Sequence, residues 1–234
     1  MVTTLYLVRH GETEGKDRQC YHGSTDVRLS DRGITQIKCA AAFIARRLIA
    51  SRPDRHNNLD NKLAAVYCSS LERAIKSAEI IAAPYGLKPV ELPDLAERSF
   101  GIWEGMTFSE IGEKHPEAFA AWFANPVTFN PGGGENVMQV RERVTRAMER
   151  IGTHHKGSHI SVVAHGGVNR IIICHILGMP LENVFRIEQD YGAVNIIEFW
   201  DAYPVVKLMN GPPLADRDSI QEEGQYEYSF QNIR

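Results

Sequence analysis

The apolar run Leu5-Tyr6-Leu7-Val8 stops abruptly at Arg9-His10-Gly11, and a second run, His159-Ile160-Ser161-Val162-Val163-Ala164, stops in the same way at His165-Gly166-Gly167. Short, largely apolar runs of this kind read as strands buried on both faces, the condition of a parallel sheet covered by helices on either side. Such a sheet gathers its ligands in the crevice outside the carboxyl ends of the strands. Two strands that each end in histidine therefore bring both imidazoles to one pocket. The glycine after each histidine leaves backbone room, and Arg9 supplies the positive charge that a phosphoryl group would meet.

The chain has 234 residues, 43% of them hydrophobic, enough for one well-buried α/β domain. Its 26 basic and 29 acidic residues nearly cancel, so no field spreads over the whole molecule to gather nucleic acid or anionic lipid. Any anion site must be local. The start Met1-Val2-Thr3-Thr4 lacks a basic and then apolar leader, and no stretch approaches the roughly 18 apolar residues of a membrane span. Cys20, Cys39, Cys68 and Cys174 are scattered with no C-x-x-C pair, which favours reduced thiols. A cytoplasmic protein is expected, with neither nucleic acid nor membrane as partner; a homodimer is left open.

Ser30 is a good N-cap for a helix to about Ser51, with Ile34, Ile37, Ala41, Ile44 and Leu48 as its buried stripe. A polar loop is expected from Arg52 to Asn61, then a strand over Leu63–Cys68. Ser69-Ser70-Leu71-Glu72 has the form of a capping box opening a helix to about Ala83, which places Arg73 in a first helical turn. Residues from about 92 to 134, with Pro93, Pro116, Pro126 and Pro131 and aromatic Phe119, Trp122 and Phe123, break the alternation and read as an inserted cap. A helix over about Glu135–Thr153 carries Val137, Val140, Val144, Met148 and Ile151 on one face. The strand 159–164, a helix ending at Gly178, and strands 193–199 and 205–209 complete the domain. The pattern predicts a three-layer α/β/α sandwich with a mostly parallel sheet over residues 1–209. The polar stretch 210–234 reads as a poorly ordered tail, unless Tyr226, Tyr228 and Phe230 add an edge strand.

Arg9 and His10, Arg73, and His165 come from three different strand ends to one end of the sheet. Guanidinium forks match phosphoryl oxygens and stay charged, so two arginines neutralise a phosphate without a divalent metal or other cofactor. The plainer alternative is arginines paired with surface carboxylates and histidines as hydrogen-bonded fillers. Other signals are weaker. Gly11-Glu12-Thr13-Glu14-Gly15-Lys16-Asp17 falls one residue short of a P-loop and has Asp17 where a magnesium-binding hydroxyl belongs. His154, His155 and His159 lie in a polar turn and read as solvated side chains, so no metal site is assigned. The Phe119, Trp122 and Phe123 stripe has the spacing of ordinary packing.

Leu7-Val8-Arg9-His10-Gly11-Glu12-Thr13 resembles the signature of the histidine phosphatase superfamily, the phosphoglycerate-mutase-like phosphatases. Gly23-Ser24-Thr25-Asp26, Ser69-Ser70-Leu71-Glu72-Arg73-Ala74 and Ala164-His165-Gly166-Gly167 are similar to its later motifs. The resemblance covers roughly residues 3 to 200. It implies a phosphorylated nucleophile at His10 and a phosphoryl group bound by Arg9, Arg73 and His165. It also places His22, Gly23 and Gly166 at the substrate. Small phosphorylated metabolites would be the substrates.

Hydrolysis also needs a proton donor, which typically supplies on the order of 10²–10⁴ in rate. Glu97 and Glu104 compete. The resemblance places the acid at Glu97, which the cap aromatics would desolvate, and leaves Glu104 to hold the cap loop. Cys20, Lys16, Phe100 and Phe108 stand where the mutases carry arginine, asparagine, tyrosine and lysine. Phe100 and Phe108 thus weigh against mutase activity. The segments Phe100–Gly105 and Pro131–Glu135 are similar to the phosphatase branch, including α-ribazole phosphatases. The remaining alternatives are a phosphoglycerate mutase and a non-catalytic phospholigand-binding module.

Overall fold

The computed structural model describes residues 1–15, 20–50, 61–201 and 203–211. Lys16, nearly all of the polar loop expected at 52–61, and the tail beyond Gly211 with Tyr226, Tyr228 and Phe230 lie outside these residues. Within them, β1 (Val2–Arg9), β2 (Ala65–Cys68), β3 (Val90–Glu91), β4 (His159–Ala164), β5 (Val194–Trp200) and β6 (Tyr203–Gly211) form one sheet in the order β3-β2-β4-β1-β5-β6. The first four in that order are parallel; β5 runs antiparallel to β1, and β6 to β5.

Around the sheet stand α1 (Asp31–Ala50), α2 (Glu72–Ala82), α5 (Val137–His154) and α6 (Gly166–Leu177). Side chains alternate across a strand. Tyr6 and Val8 therefore pack on one face with Ile37 and Ile44 of α1 and Ala78 and Ile81 of α2. Leu5 and Leu7 pack on the other with Val140 and Val144 of α5 and Ile172 and Ile173 of α6. Covering on both faces is why β1 tolerates six consecutive buried residues. Among the described residues no helix is long and apolar enough to cross a membrane.

Several local expectations shift. The buried stripe of α1 is Gly33, Gln36, Ile37, Ala40, Ile44 and Leu48, rotated so that Ile34 and Ala41 are only partly covered. Ser30 does cap α1: its hydroxyl accepts the Gly33 amide at 3.0 Å. The capping box at 69–72 does not form. Leu71 is the N-cap of α2 without a side-chain bond, and the Glu72 amide is instead capped from a distant loop by Asp26 Oδ1 at 2.8 Å. Asn136, with Gln139 as its reciprocal partner, opens α5. The two-residue β3 was too short to register as a strand. His155 and His159 are not solvated turn residues: Tyr67 Oη lies 2.8 Å from His155 Nε2, and His159 starts β4 as a buried residue. β6 runs through Asn210 to Gly211, past the end expected at Met209, because Asn210 bonds to Asn195 and Asp190.

Residues 92–134 leave the sheet and hold the short helices α3 (Phe108–Lys114) and α4 (Pro116–Ala124). Phe108, Phe119, Trp122 and Phe123 pack on one another, mostly edge to face, and Trp122 also meets Trp103 and Phe185.

The turn after β1 lies directly on the start of α1. A Cβ on Gly33 would overlap the Glu12 carbonyl, and one on Gly11 would overlap the Gly33 carbonyl. Gly33→Ala is expected to lower the unfolding free energy by about 1–3 kcal/mol through overpacking. Gly152→Ala, in α5 with nothing within 4 Å of the new carbon, should be neutral or stabilising by up to about 1 kcal/mol. Urea denaturation of both variants checks this, and equal effects would contradict the close approach.

Candidate active site

β1 and β4 are neighbours with Arg9 level with Ala164, so the residues that follow, His10 and His165, sit side by side. The His10 amide donates to the Ala164 carbonyl at 3.0 Å, and the two ring centroids lie 5.0 Å apart at 62°. Both are buried, at 6% and 0% exposure, near the guanidinium groups of Arg9 and Arg73. His10 Nδ1 lies 2.7 Å from the Gly11 carbonyl. A carbonyl only accepts, so Nδ1 carries the proton and Nε2 keeps its lone pair. Burial, followed by the charges of Arg73 and Arg9, holds the His10 imidazole well below the usual histidine range, against a smaller opposing pull from Gly11. His165 is also held well below that range, by burial first and then by His10, Arg73 and Arg9. Both rings are neutral at pH 7.

Arg73, in the first turn of α2, is 2% exposed and donates to the carbonyls of Thr25 at 2.8 Å and Gly23 at 2.7 Å. That bent loop is shaped by Glu104. Its carboxylate accepts from the Ser24 and Thr25 amides, both their hydroxyls and the Phe100 amide, at 2.6–3.1 Å. Burial raises the Glu104 carboxyl, but the bonds from Thr25, Phe100 and Ser24 outweigh it and hold the group below the usual carboxylate range. Gly23 must be glycine, since a Cβ would overlap the Glu104 carboxylate and meet the Arg98 carbonyl at 2.5 Å. His22, beside it, has a buried Nδ1 without a hydrogen-bond partner.

Glu97 is half-buried. Its carboxylate accepts the Gly167 amide, in the first turn of α6, and its neighbour Arg98's amide, both at 2.9 Å. These two bonds fix the carboxyl group at the N-terminus of α6. Gly167 leaves the room: a Cβ there would lie 2.6 Å from Glu97 Oε1. The aromatic rings expected to enclose Glu97 pack on one another over residues 108–123. Arg143 of α5, which sequence reasoning passed over, fixes the strand of chain carrying Glu97. It commits all five donors, to the carbonyls of Asp94, Ala96 and Glu97 and bidentately to Glu135.

Arg9 lies against Gly166, whose added Cβ would approach its Nε at 3.3 Å, and donates through Nη1 to the Gln189 carbonyl. Its Cζ sits 3.8 Å above the Tyr191 ring, which is also 5.7 Å from the His10 ring. Gln189 and Tyr191 were not singled out from sequence, because they occupy an irregular loop without periodicity. Arg9, His10, Arg73, Glu97, His165 and Gly166 are thus gathered at one end of the sheet, with His22 and Gly23 on the loop that holds Arg73. Among the described residues no group of three His, Cys, Asp or Glu side chains is placed to hold a metal ion.

A family model for branch 1 of the histidine phosphatase superfamily matches residues 5–212. The chain is 32% identical over 209 residues to a bifunctional protein of Mycobacterium tuberculosis, covering 89% of this chain but 54% of that relative, about half its length. A metal-independent phosphoserine phosphatase of Arabidopsis thaliana is 37% identical over 177 residues, 75% of this chain and 69% of the relative. The crystal structure of the alpha-ribazole phosphatase from Shigella flexneri superposes with a TM-score of 0.77 at 27% identity, covering 89% of this chain and 96% of that one. Sequence and fold agree: the chain belongs to branch 1 of the histidine phosphatase superfamily.

Proposed function

We propose that the chain is a metal-independent phosphomonoesterase that hydrolyses a small phosphorylated metabolite through a phosphohistidine on His10. One observation carries this reading. His10 Nδ1 is committed to Gly11, while both ring nitrogens of His165 and the Nε of Arg9 are buried without hydrogen-bond partners. Buried polar groups left unpaired are rare, and phosphoryl oxygens would accept from the Nε–H of Arg9 and from the one N–H that the neutral His165 ring carries.

His10 Nε2 attacks phosphorus in line as the bond to the ester oxygen breaks, and protonated Glu97 gives its proton to the departing alcohol. Each Glu97 oxygen accepts one amide hydrogen, which leaves lone pairs for that proton. The carboxylate then takes a proton from water as the water oxygen attacks the phosphohistidine. The N–P bond breaks, and inorganic phosphate and neutral His10 are regenerated. The charges of Arg9 and Arg73 and a hydrogen bond from His165 stabilise the equatorial oxygens, which is most of what phosphoryl transfer demands of a protein. Relatives named as phosphoserine and alpha-ribazole phosphatases support esters of small hydroxyl compounds, with α-ribazole 5′-phosphate and sugar phosphates the first to assay.

Brief incubation with an aryl phosphate, followed by mass mapping at alkaline pH, should find phosphate on His10, and His10→Ala should lose about 10⁴-fold or more in turnover with its fold intact. Phosphate on another residue, or turnover undiminished in the variant, would overturn the assignment.

Glu97→Gln keeps the shape and one of the two amide hydrogen bonds but cannot give up a proton. It should lose on the order of 10²–10⁴ in rate on alkyl esters, while the phosphorylation step with an aryl ester is nearly spared. Rapid-quench kinetics with both ester types reads the difference, and the same selectivity in Glu104→Gln instead would reassign the acid.

The histidines also set a pH dependence. Their folded pKa values are depressed, so as pH falls through the unfolded value near about 6.5 the unfolded chain binds protons first. Their contribution to stability is complete above that value and is lost toward the lower folded values, with a slope of up to about 1.4 kcal/mol per pH unit per histidine. Urea unfolding between about pH 7.5 and 5.5 should show this slope, reduced in His165→Asn; an unchanged slope would mean that His165 is not held neutral.

A further inference from the structure

The loop between the 3₁₀ turn Leu181–Arg186 and β5 contributes none of the reacting groups, yet it touches both Arg9 and His10. Arg9 donates to the Gln189 carbonyl and lies over the Tyr191 ring. The Gly192 amide donates to the His10 carbonyl at 3.1 Å, and the Arg9 amide donates to Ala193 at 3.0 Å. What shapes this loop is a pair of side-chain amides. Gln189 and Asn195, both fully buried, exchange reciprocal hydrogen bonds of 2.9 and 2.8 Å. Asn195 also donates to the Leu7 carbonyl at 3.0 Å and accepts the Asn210 amide at 2.9 Å. Both its N–H groups and both its lone pairs are engaged. On the last strand, Asn210 closes the arrangement by bonding Asp190 twice, accepting its amide at 2.8 Å and donating to its carboxylate at 2.9 Å.

Asn195 interrupts the apolar run Val194-Asn195-Ile196-Ile197, at a position where a leucine of similar volume would avoid the desolvation of an amide. A buried polar network of this completeness specifies one geometry. The geometry specified here is that of the carbonyl and the ring that hold the Arg9 guanidinium. We infer that Asn195 is a positioning residue: through Gln189, and clipped by Asn210, it aims Arg9 at the phosphoryl group. The inference rests on the reading of this site as a phosphatase centre.

The test uses inorganic phosphate as a competitive inhibitor of the 234-residue chain. Asn195→Leu should raise the phosphate Ki on the order of tenfold and lower kcat/KM with it, since small displacements at such a site are amplified. Asn210→Gly, which suits the left-handed φ of 49° at that position and removes only the clip, should move Ki in the same direction by a smaller factor. In an Arg9→Lys background, adding Asn195→Leu should leave Ki nearly unchanged, because the fork being aimed is gone. The inference is overturned if Asn195→Leu shifts Ki by the same factor in both backgrounds, or if folded Asn195→Leu has the wild-type Ki. Should Asn195→Leu fail to give a native near-UV circular dichroism spectrum, a wild-type Ki in Asn210→Gly overturns it instead. A wild-type chain that phosphate does not inhibit and that forms no phosphohistidine would refute the reading of the site itself.

Discussion

The backbone hydrogen bond from His10 to Ala164 closes the parallel pairing of β1 and β4, and the rest of the site depends on its register. A strand shifted by one residue turns every side chain to the opposite face. Such a slip would send Leu5 and Leu7 toward α1 and α2, whose packing is shaped for Tyr6 and Val8. It would also separate the two imidazoles. The apolar faces of β1 therefore enforce the geometry of the proposed site at its end, so that folding and the placing of the two histidines share one constraint.

Around the histidines the protein gathers two arginines, with Glu97 the nearby carboxyl group. Like charges at close quarters destabilise a fold unless something else fixes them, and here the fixing groups are mostly uncharged. Arg73 is held by two loop carbonyls, and Arg9 by a carbonyl and an aromatic face. Neutral partners position a guanidinium without cancelling its charge, as a carboxylate would. The other carboxylates stand one step back. Glu104 shapes the loop under Arg73, and Glu135 pairs with Arg143 beneath the chain that carries Glu97. The field is thus kept for the ligand.

The sheet and much of the site were legible in the sequence because strand ends followed by histidine and glycine are local signals with one physical meaning. Arg73 was legible as a first-turn residue of a helix, although the cap of that helix came from Asp26 and could not be seen in Ser69-Ser70-Leu71-Glu72. What stayed hidden is of that non-local kind. Tyr191 meets Arg9 only because β5 pairs antiparallel to β1, and Arg143 reaches Glu97 only because α5 crosses under residues 94–97. Asn195 left one trace, a polar residue inside an apolar strand, which reads as a flaw until its four hydrogen bonds are seen.

The reversal of chain direction at β5 and β6 has a practical side. Gly211 is level with Val194, which pairs with Val8, so β6 ends beside the pocket. Met1 stands at the far end of β1, a strand length of roughly 25 Å away. The two ends of the described chain are therefore unequal as attachment points. A fluorophore or fused domain joined ahead of Met1 is held clear of the pocket mouth, whereas a payload linked directly after Gly211 is tethered at its rim, where it meets every molecule that enters or leaves.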